Sequence, residues 1–210
     1  GSVNGDTGKF LFSPKRLGKE DYVTGKIDHY FSSATTFFGS YTYDDTTVGS
    51  SDNYNLKDTF SPAKRQNGVL SLQHIFSPSL INNARAGVTR FFGGNAIDGN
   101  ARDPRLTDTA YGFYPGRTFG QLVVTGVFSG TSSGIPSGLF SSGENFFGYT
   151  APQFFDDLSW TKGRHSIRTG FNFEHVMYNL FEPQAPNGVW TFTSIKDFLQ
   201  GSPSQFRGDF

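Results

Sequence analysis

Residues 154–175 read FFDDLSWTKGRHSIRTGFNFEH, two alternating runs around a Lys-Gly-Arg turn. Apolar and polar side chains with a period of two are the signature of a strand with two unlike faces, and the pair predicts a long β-hairpin. In the second run Ile167, Phe171, Phe173 and Met177 fall on one face, and Arg168, Asn172 and Glu174 on the other. In the first run Phe155, Leu158 and Trp160 do not keep strict parity, which predicts a bulge near Asp156-Asp157. The same rhythm recurs upstream. The segment 21–31 sets Val23, Ile27 and Phe31 against Thr24, Lys26 and Asp28, and the segment 35–45 sets Phe37, Tyr41 and Tyr43 against Ser40, Thr42 and Asp44. A second hairpin turns at Ser77-Pro78-Ser79, with Leu70, Leu72 and Phe76 together before the turn. After it, Ala84, Ala86, Val88 and Phe92 oppose Asn83, Arg85 and Thr89.

Between these runs the pattern fades. Residues 46–63 are polar and rich in turn formers, and read as a long loop. Residues 93–150 are rich in Gly, Ser and Pro and read as a second long loop region, interrupted by a candidate strand, QLVVTGVF, at 121–128. Near the C-terminus, Thr193 or Ser194 can cap a short helix over 195–199 that Gly201 ends. Residues 205–210, QFRGDF, do not alternate as a closing barrel strand would. The predicted fold is one all-β domain over residues 1–210, built from antiparallel hairpins. Its short turns lie at one end and its long loops at the other, and a single short helix lies near the C-terminus. That asymmetry is the one seen in outer-membrane-type β-barrels, here a partial or a small barrel of roughly seven or eight strands.

Composition sharpens the choice of solvent. Only 17% of residues are charged, whereas 17% are aromatic, with Phe contributing 24 residues and Gly 26. A packed soluble core favours Leu, Ile and Val, whereas strands between lipid and lumen, ringed by aromatic residues, have this profile. A soluble β-sandwich is the competing reading. The 18 basic and 18 acidic residues cancel, which leaves no electrostatic footprint for nucleic acid. Cysteine is absent, which excludes a disulfide framework and thiolate chemistry.

Four pieces, GKIDHYFSSATTFFGSYTYDD, QHIFSPSLINNARAGVTRF, FFDDLSWTKGRHSIRTGFNFEH and GVWTFTSIKDFLQGSPSQF, resemble the barrel of a TonB-dependent outer-membrane transporter. The type is the Oar-like receptor with a carboxypeptidase-regulatory-like N-terminal domain. The hairpin DDLSWTKGRHSIRTGF is the most specific piece, and DFLQGSP follows at the family's usual distance. The resemblance implies a barrel of about 22 strands when complete. No plug domain or TonB box is visible, so it implies a segment from the middle of the barrel.

Chemistry at the residue level is sparse. His29, His74, His165 and His175 lack metal-ligand spacing. Asp44, Asp45 and Asp52 lack the pattern of a calcium loop. Asp156 and Asp157, as neighbours on a strand, point to opposite faces and suit acid–base work only if a bulge reorients them. No nucleophile elbow or phosphate loop occurs, so no enzyme activity, cofactor or metal is expected. The aromatic stretches GSYTYDD and GENFFGYT could stack on sugars, and interface girdles explain them more cheaply. Lys26, Asp28, Arg85, Arg168 and Glu174 are candidates for a lumen or polar face. Val23, Ile27, Phe31, Phe37, Tyr41, Phe171 and Phe173 are candidates for an apolar, strand-pairing face.

The expected function is structural. A barrel segment has two open edges that template further strands. An isolated chain of this kind is expected to associate with other copies, through edges and loops, into an oligomer or filament. The expected location is the bacterial outer membrane or the extracellular space. The alternatives are an autonomous eight-stranded outer-membrane barrel, serving as adhesin or small pore, and a soluble carbohydrate-binding β-sandwich.

Overall fold

The computed structural model describes residues 3–4, 7–8, 11–13, 15–51, 55–95, 97–127 and 145–209. One antiparallel sheet dominates. Its strands in chain order are β3 (Arg16–Tyr30), β4 (Thr35–Ser51), β5 (Lys57–Ser77), β6 (Leu80–Asn95), β7 (Ile97–Ala101), β9 (Asn145–Lys162), β10 (His165–Glu174) and β11 (Met177–Phe181). The spatial order is β10-β9-β6-β5-β4-β3, with β7 on β5 and β11 on β9. Because β7 continues the line of β6, and β11 that of β10, the sheet is a meander of six through-running lines. A two-residue pair, β1 (Val3–Asn4) with β2 (Thr7–Gly8), precedes it.

The hairpin turns occupy 31–34, 78–79 and 163–164, all at one end. Gly163 takes φ 60°, the left-handed conformation that the tight Lys-Gly-Arg turn requires. Thr35 pairs with His74, His74 with Asn82, and Asn82 with Leu158, yet β9 runs on to Lys162. Each later hairpin therefore reaches lower than the last, the stagger of a sheet whose strands are tilted to its axis.

The strands are longer than expected. Within 46–63, residues 46–51 and 57–63 are strand rather than loop: β4 runs to Ser51 and β5 starts at Lys57, and the two pair from Thr35↔His74 to Ser51↔Asp58. A 21-residue strand rises roughly 70 Å, against the 9–11 residues that cross a bilayer. The expected loop over 93–150 is likewise partly sheet, because β6 reaches Asn95 and β9 starts at Asn145. Residues 128–144 of that loop lie outside the described residues. No bulge occurs at Asp156-Asp157, since β9 pairs with β6 and β10 in unbroken register there. The shift lies instead between Ile75 and Ser77, at the turn end, where Phe76 packs edge-on against His74 of the Leu70 and Leu72 row at 4.5 Å.

Two prolines mark the interruptions. Pro62 sits between the β6 and β7 ladders, where β5 has no partner on that side. Pro152 sits between the β10 and β11 ladders. Proline cannot donate to a ladder, so it is tolerated where the ladder breaks.

The remaining described residues form a small body at the loop end. β8 (Gln121–Val124) lies parallel to β12 (Val189–Phe192), and β13 (Gln205–Arg207) lies antiparallel to it. The expected strand at 121–128 thus covers only its first four residues. Residues 205–207 join this small sheet rather than the wall. Helix α1 (Ile195–Leu199) forms as expected, capped by Ser194. The buried apolar side chains here are Val124, Ala185 and Phe192.

Candidate functional site

Strict alternation gives the large sheet two unlike faces. Through the register, Lys26 and Asp28 of β3, Arg85 of β6, and Arg168 and Glu174 of β10 all fall on one face. Lys26 approaches Asp28 at 3.6 Å and lies 4.9 Å from the ring of Phe38. Arg168 reaches Asp157 at 3.1 Å, and Gln153 donates to Glu174 at 2.9 Å. Thr24 and Thr42 share a hydrogen bond of 3.1 Å, and Asn67 donates to Thr89. Arg85 stands between Ser71 and Phe155. Phe155 therefore faces the polar side, which explains the broken parity without a bulge.

The opposite face carries Val23 and Ile27 of β3, Phe37 and Tyr41 of β4, and Phe171 and Phe173 of β10. Between them lie Leu70, Leu72, Ala84, Ala86, Val88 and Phe154. Ile27 and Leu70 close over Gly39, where a β-carbon would lie 3.2 and 3.3 Å from their methyl groups. Phe31 lies one residue past β3, in the turn, its amide donating to the Thr35 carbonyl, while its ring stays on this face beside His29 and 6.4 Å from Phe37. The strand ends there because the chain must reverse before Thr35 can pair with His74.

Asp44 and Asp45 also separate by parity. Thr46 donates to Asp44, whereas Asp45 binds Lys64 at 2.9 Å. Asp52 lies outside the described residues. Asp156 and Asp157 part in the same way, with Asp157 facing Arg168 and Asp156 standing on the apolar face. There Asn82 donates to Asp156 at 2.8 Å. Removing a donor from a group kept from water costs about 1–3 kcal/mol. Asn82→Ala is expected to destabilise the sheet by that amount, and Asp156→Leu added to it to restore most of the loss. Urea titration of the membrane-inserted protein checks both.

The aromatic stretch GENFFGYT meets Phe91, Phe92 and Phe181 across the sheet at its loop end. Each Phe-Phe pair sends one ring to each face. Phe91, Phe147 and Tyr149 cluster on the polar face, with ring centroids 5.4 and 5.8 Å from Phe91, and Arg65 lies 5.6 Å from the Phe91 ring. Phe92, Phe146 and Phe181 line the apolar-side face, spaced 5.9 and 6.4 Å. The signal was the alternation itself, continuing through FFG and NFFGYT.

The small body is held by its own contacts. Trp190 and Phe206 are 4.3 Å apart, Phe113 and Phe206 4.9 Å, and Phe192 meets Phe198 edge-on at 5.3 Å. The Asp209 amide donates to the Ala185 carbonyl, and the Ala185 amide to the Asp209 carboxylate at 2.6 Å. Asp103 is drawn down to about 2 by hydrogen bonds from Arg105. Asp197 is held below the ordinary carboxylate range by the hydroxyls of Ser194 and Thr193. Because its folded pKa is depressed, its contribution to the α1 cap is complete above about pH 4 and lost as pH falls through the folded value. Ser194→Ala is expected to cost about 1 kcal/mol at the cap and to narrow this acid response. Amide exchange across residues 194–201, read at pH 7 and pH 3, checks it.

A single sheet, apolar on one face and polar on the other, with large apolar side chains such as Val23 and Phe171 at 64% and 60% exposure, needs lipid against one face. It is the wall of a transmembrane barrel. The chain matches the outer membrane beta barrel domain family over residues 1–210 and belongs to it. Its place is therefore the bacterial outer membrane. No curated protein matches the chain.

Proposed function

We propose that this chain is part of the wall of a large TonB-dependent outer-membrane transporter of the Oar-like kind. The observation that carries this reading is the open sheet. The six through-running lines among the described residues are fewer than the eight strands with which single-chain outer-membrane barrels begin. The outer edges of β3 and of β10 have no strand partner among the described residues. In lipid an unpaired backbone group costs several kcal/mol, so both edges must be met by further strands. The charged and amide-rich face, from Lys26 across to Glu174, suits the lining of a wide aqueous lumen. The TonB-dependent, Oar-like part rests on the hairpin DDLSWTKGRHSIRTGF and the element DFLQGSP.

The bare edges also support a second reading, in which copies of the chain pair edge to edge into an oligomer or filament. A photo-crosslinking amino acid at Thr24 on β3, and another at Asn172 on β10, separates the readings in native membranes. Capture of additional strands of one larger barrel supports the transporter wall. Capture of β10 by β3 within one chain means a small closed barrel and overturns it. Capture of a second copy favours assembly. TonB coupling is checked by copurification of the barrel with the C-terminal domain of TonB, and no binding removes that part of the proposal.

A further inference from the structure

The outward face changes character at its upper end. Val88 and Pro152 complete the apolar band on β6 and β9. Directly above them stand Arg90 and Thr150, opposite one another, with Met177 of β11 beside Thr150 and Asn179 following it. Gly148 has no side chain and forms a floor between Phe92 and Asn179. A β-carbon there would lie 3.0 Å from the Phe91 carbonyl oxygen. The result is a groove of about 300 Å³, lined by Arg90, Thr150 and Asn179 and walled by Phe92, Phe146 and Phe181.

Height decides what meets this groove. Arg90 lies ten residues along its strand from Leu80. At a rise of about 3.3 Å per residue and a tilt near 40°, that places it about 25 Å above the turn end, the height of the lipid-facing apolar band. The guanidinium is therefore at the rim of the hydrocarbon, on the loop side. Phe146 and Phe181 stand roughly 10 Å higher, above the acyl chains and at the level of headgroups and saccharide. Arg90 is exposed and has no carboxylate or hydrogen-bond partner among the described residues. Lys64, opposite Phe92 on the neighbouring strand, is already held by Asp45.

We propose that this groove binds a phosphorylated glycolipid of the outer leaflet. A guanidinium forks onto two phosphate oxygens, and the Thr150 hydroxyl and Asn179 amide supply further donors beside it. The acyl chains run down from Met177 along the band past Val88 and Pro152. The saccharide part meets the aromatic walls above the hydrocarbon, where apolar sugar faces stack on rings. The charge complementarity and the position at the head of a continuous apolar band together select this occupant. A free anion would not use the band, and a simple phospholipid would not use the upper rings. The inference rests on the apolar face meeting lipid and is independent of the transporter reading.

The test uses the full protein in nanodiscs of phosphatidylcholine doped with lipopolysaccharide, with phosphatidylglycerol, or with neither plus inorganic phosphate. Retained lipid is counted by native mass spectrometry. The wild type is expected to retain lipopolysaccharide in preference to phosphatidylglycerol, and Arg90→Gln to retain it about tenfold less well. Arg90→Lys is expected to recover part of the loss, and Arg85→Gln, on the opposite face, to change nothing. Equal retention by Arg90→Gln, or equal retention of phosphatidylglycerol, overturns the proposal, as does displacement by phosphate alone. Heat-modifiable gel mobility confirms that each variant is folded, and the edge crosslinks report on the barrel reading separately.

Discussion

Leu70→Arg is expected to destabilise the inserted protein by about 2–4 kcal/mol, whereas Ser71→Arg, one residue along, costs under about 1 kcal/mol. Leu70 lies on β5, paired with Gly39 on one side and Ala86 on the other. Both neighbours are small, so no long side chain beside it can shield an introduced charge from lipid. Leu70 is 54% exposed, and in the membrane that exposed surface meets acyl chains. Ser71 pairs with Phe38 and Arg85 on the polar face, where an added guanidinium keeps its water. Urea unfolding in lipid vesicles, followed by fluorescence of Trp160 on β9, measures both. Equal costs at the two positions would mean that the faces have been assigned to the wrong solvents.

Phe192→Ala is expected to cost about 3–5 kcal/mol, confined to the loop-end body. Phe192 is 6% exposed and packs edge-on against Phe198 of α1, so truncation leaves a cavity that a body this small cannot collapse around. Gly188→Val should act through a different cause. Gly188 sits at φ 79°, and a β-carbon there would fall 2.8 Å from both Phe113 and Phe206. Either substitution should raise amide exchange across residues 121–124 and 189–192 while leaving β5 and β6 protected. Loss of protection in the large sheet as well would mean that the two parts unfold as one.

How much of this was legible beforehand depends on where alternation is imposed. Inside the bilayer, lipid and lumen demand opposite side chains, so Val23, Ile27, Phe37, Tyr41, Phe171 and Phe173 could be sorted from Lys26, Asp28, Arg85, Arg168 and Glu174 by parity alone. Above the bilayer both faces meet water and the demand disappears. That is why residues 46–63 read as a loop although 46–51 and 57–63 form paired strand, and why β6 and β9 read as ending short of their upper ends. Pro62 added to the error, because a proline speaks against a central strand unless the ladder breaks beside it, and only the pairing of β5 with two separate strands shows that break.

The apparent bulge at Asp156-Asp157 failed for a related reason. Phe155 was assumed to belong with the apolar face, but a lumen wall admits aromatic residues, and register overrode hydrophobicity there. The amino-acid sequence by itself determined the period of two, the short turns, the capped helix and the all-β class, since each follows from local backbone and side-chain preferences. The tertiary structure alone decided the strand lengths, the outward groove at Arg90, the Asn82–Asp156 pair and the small body in which residues 121–124 meet 189–192. These depend on which residues are brought opposite one another across tens of positions in the chain, and no local preference specifies that.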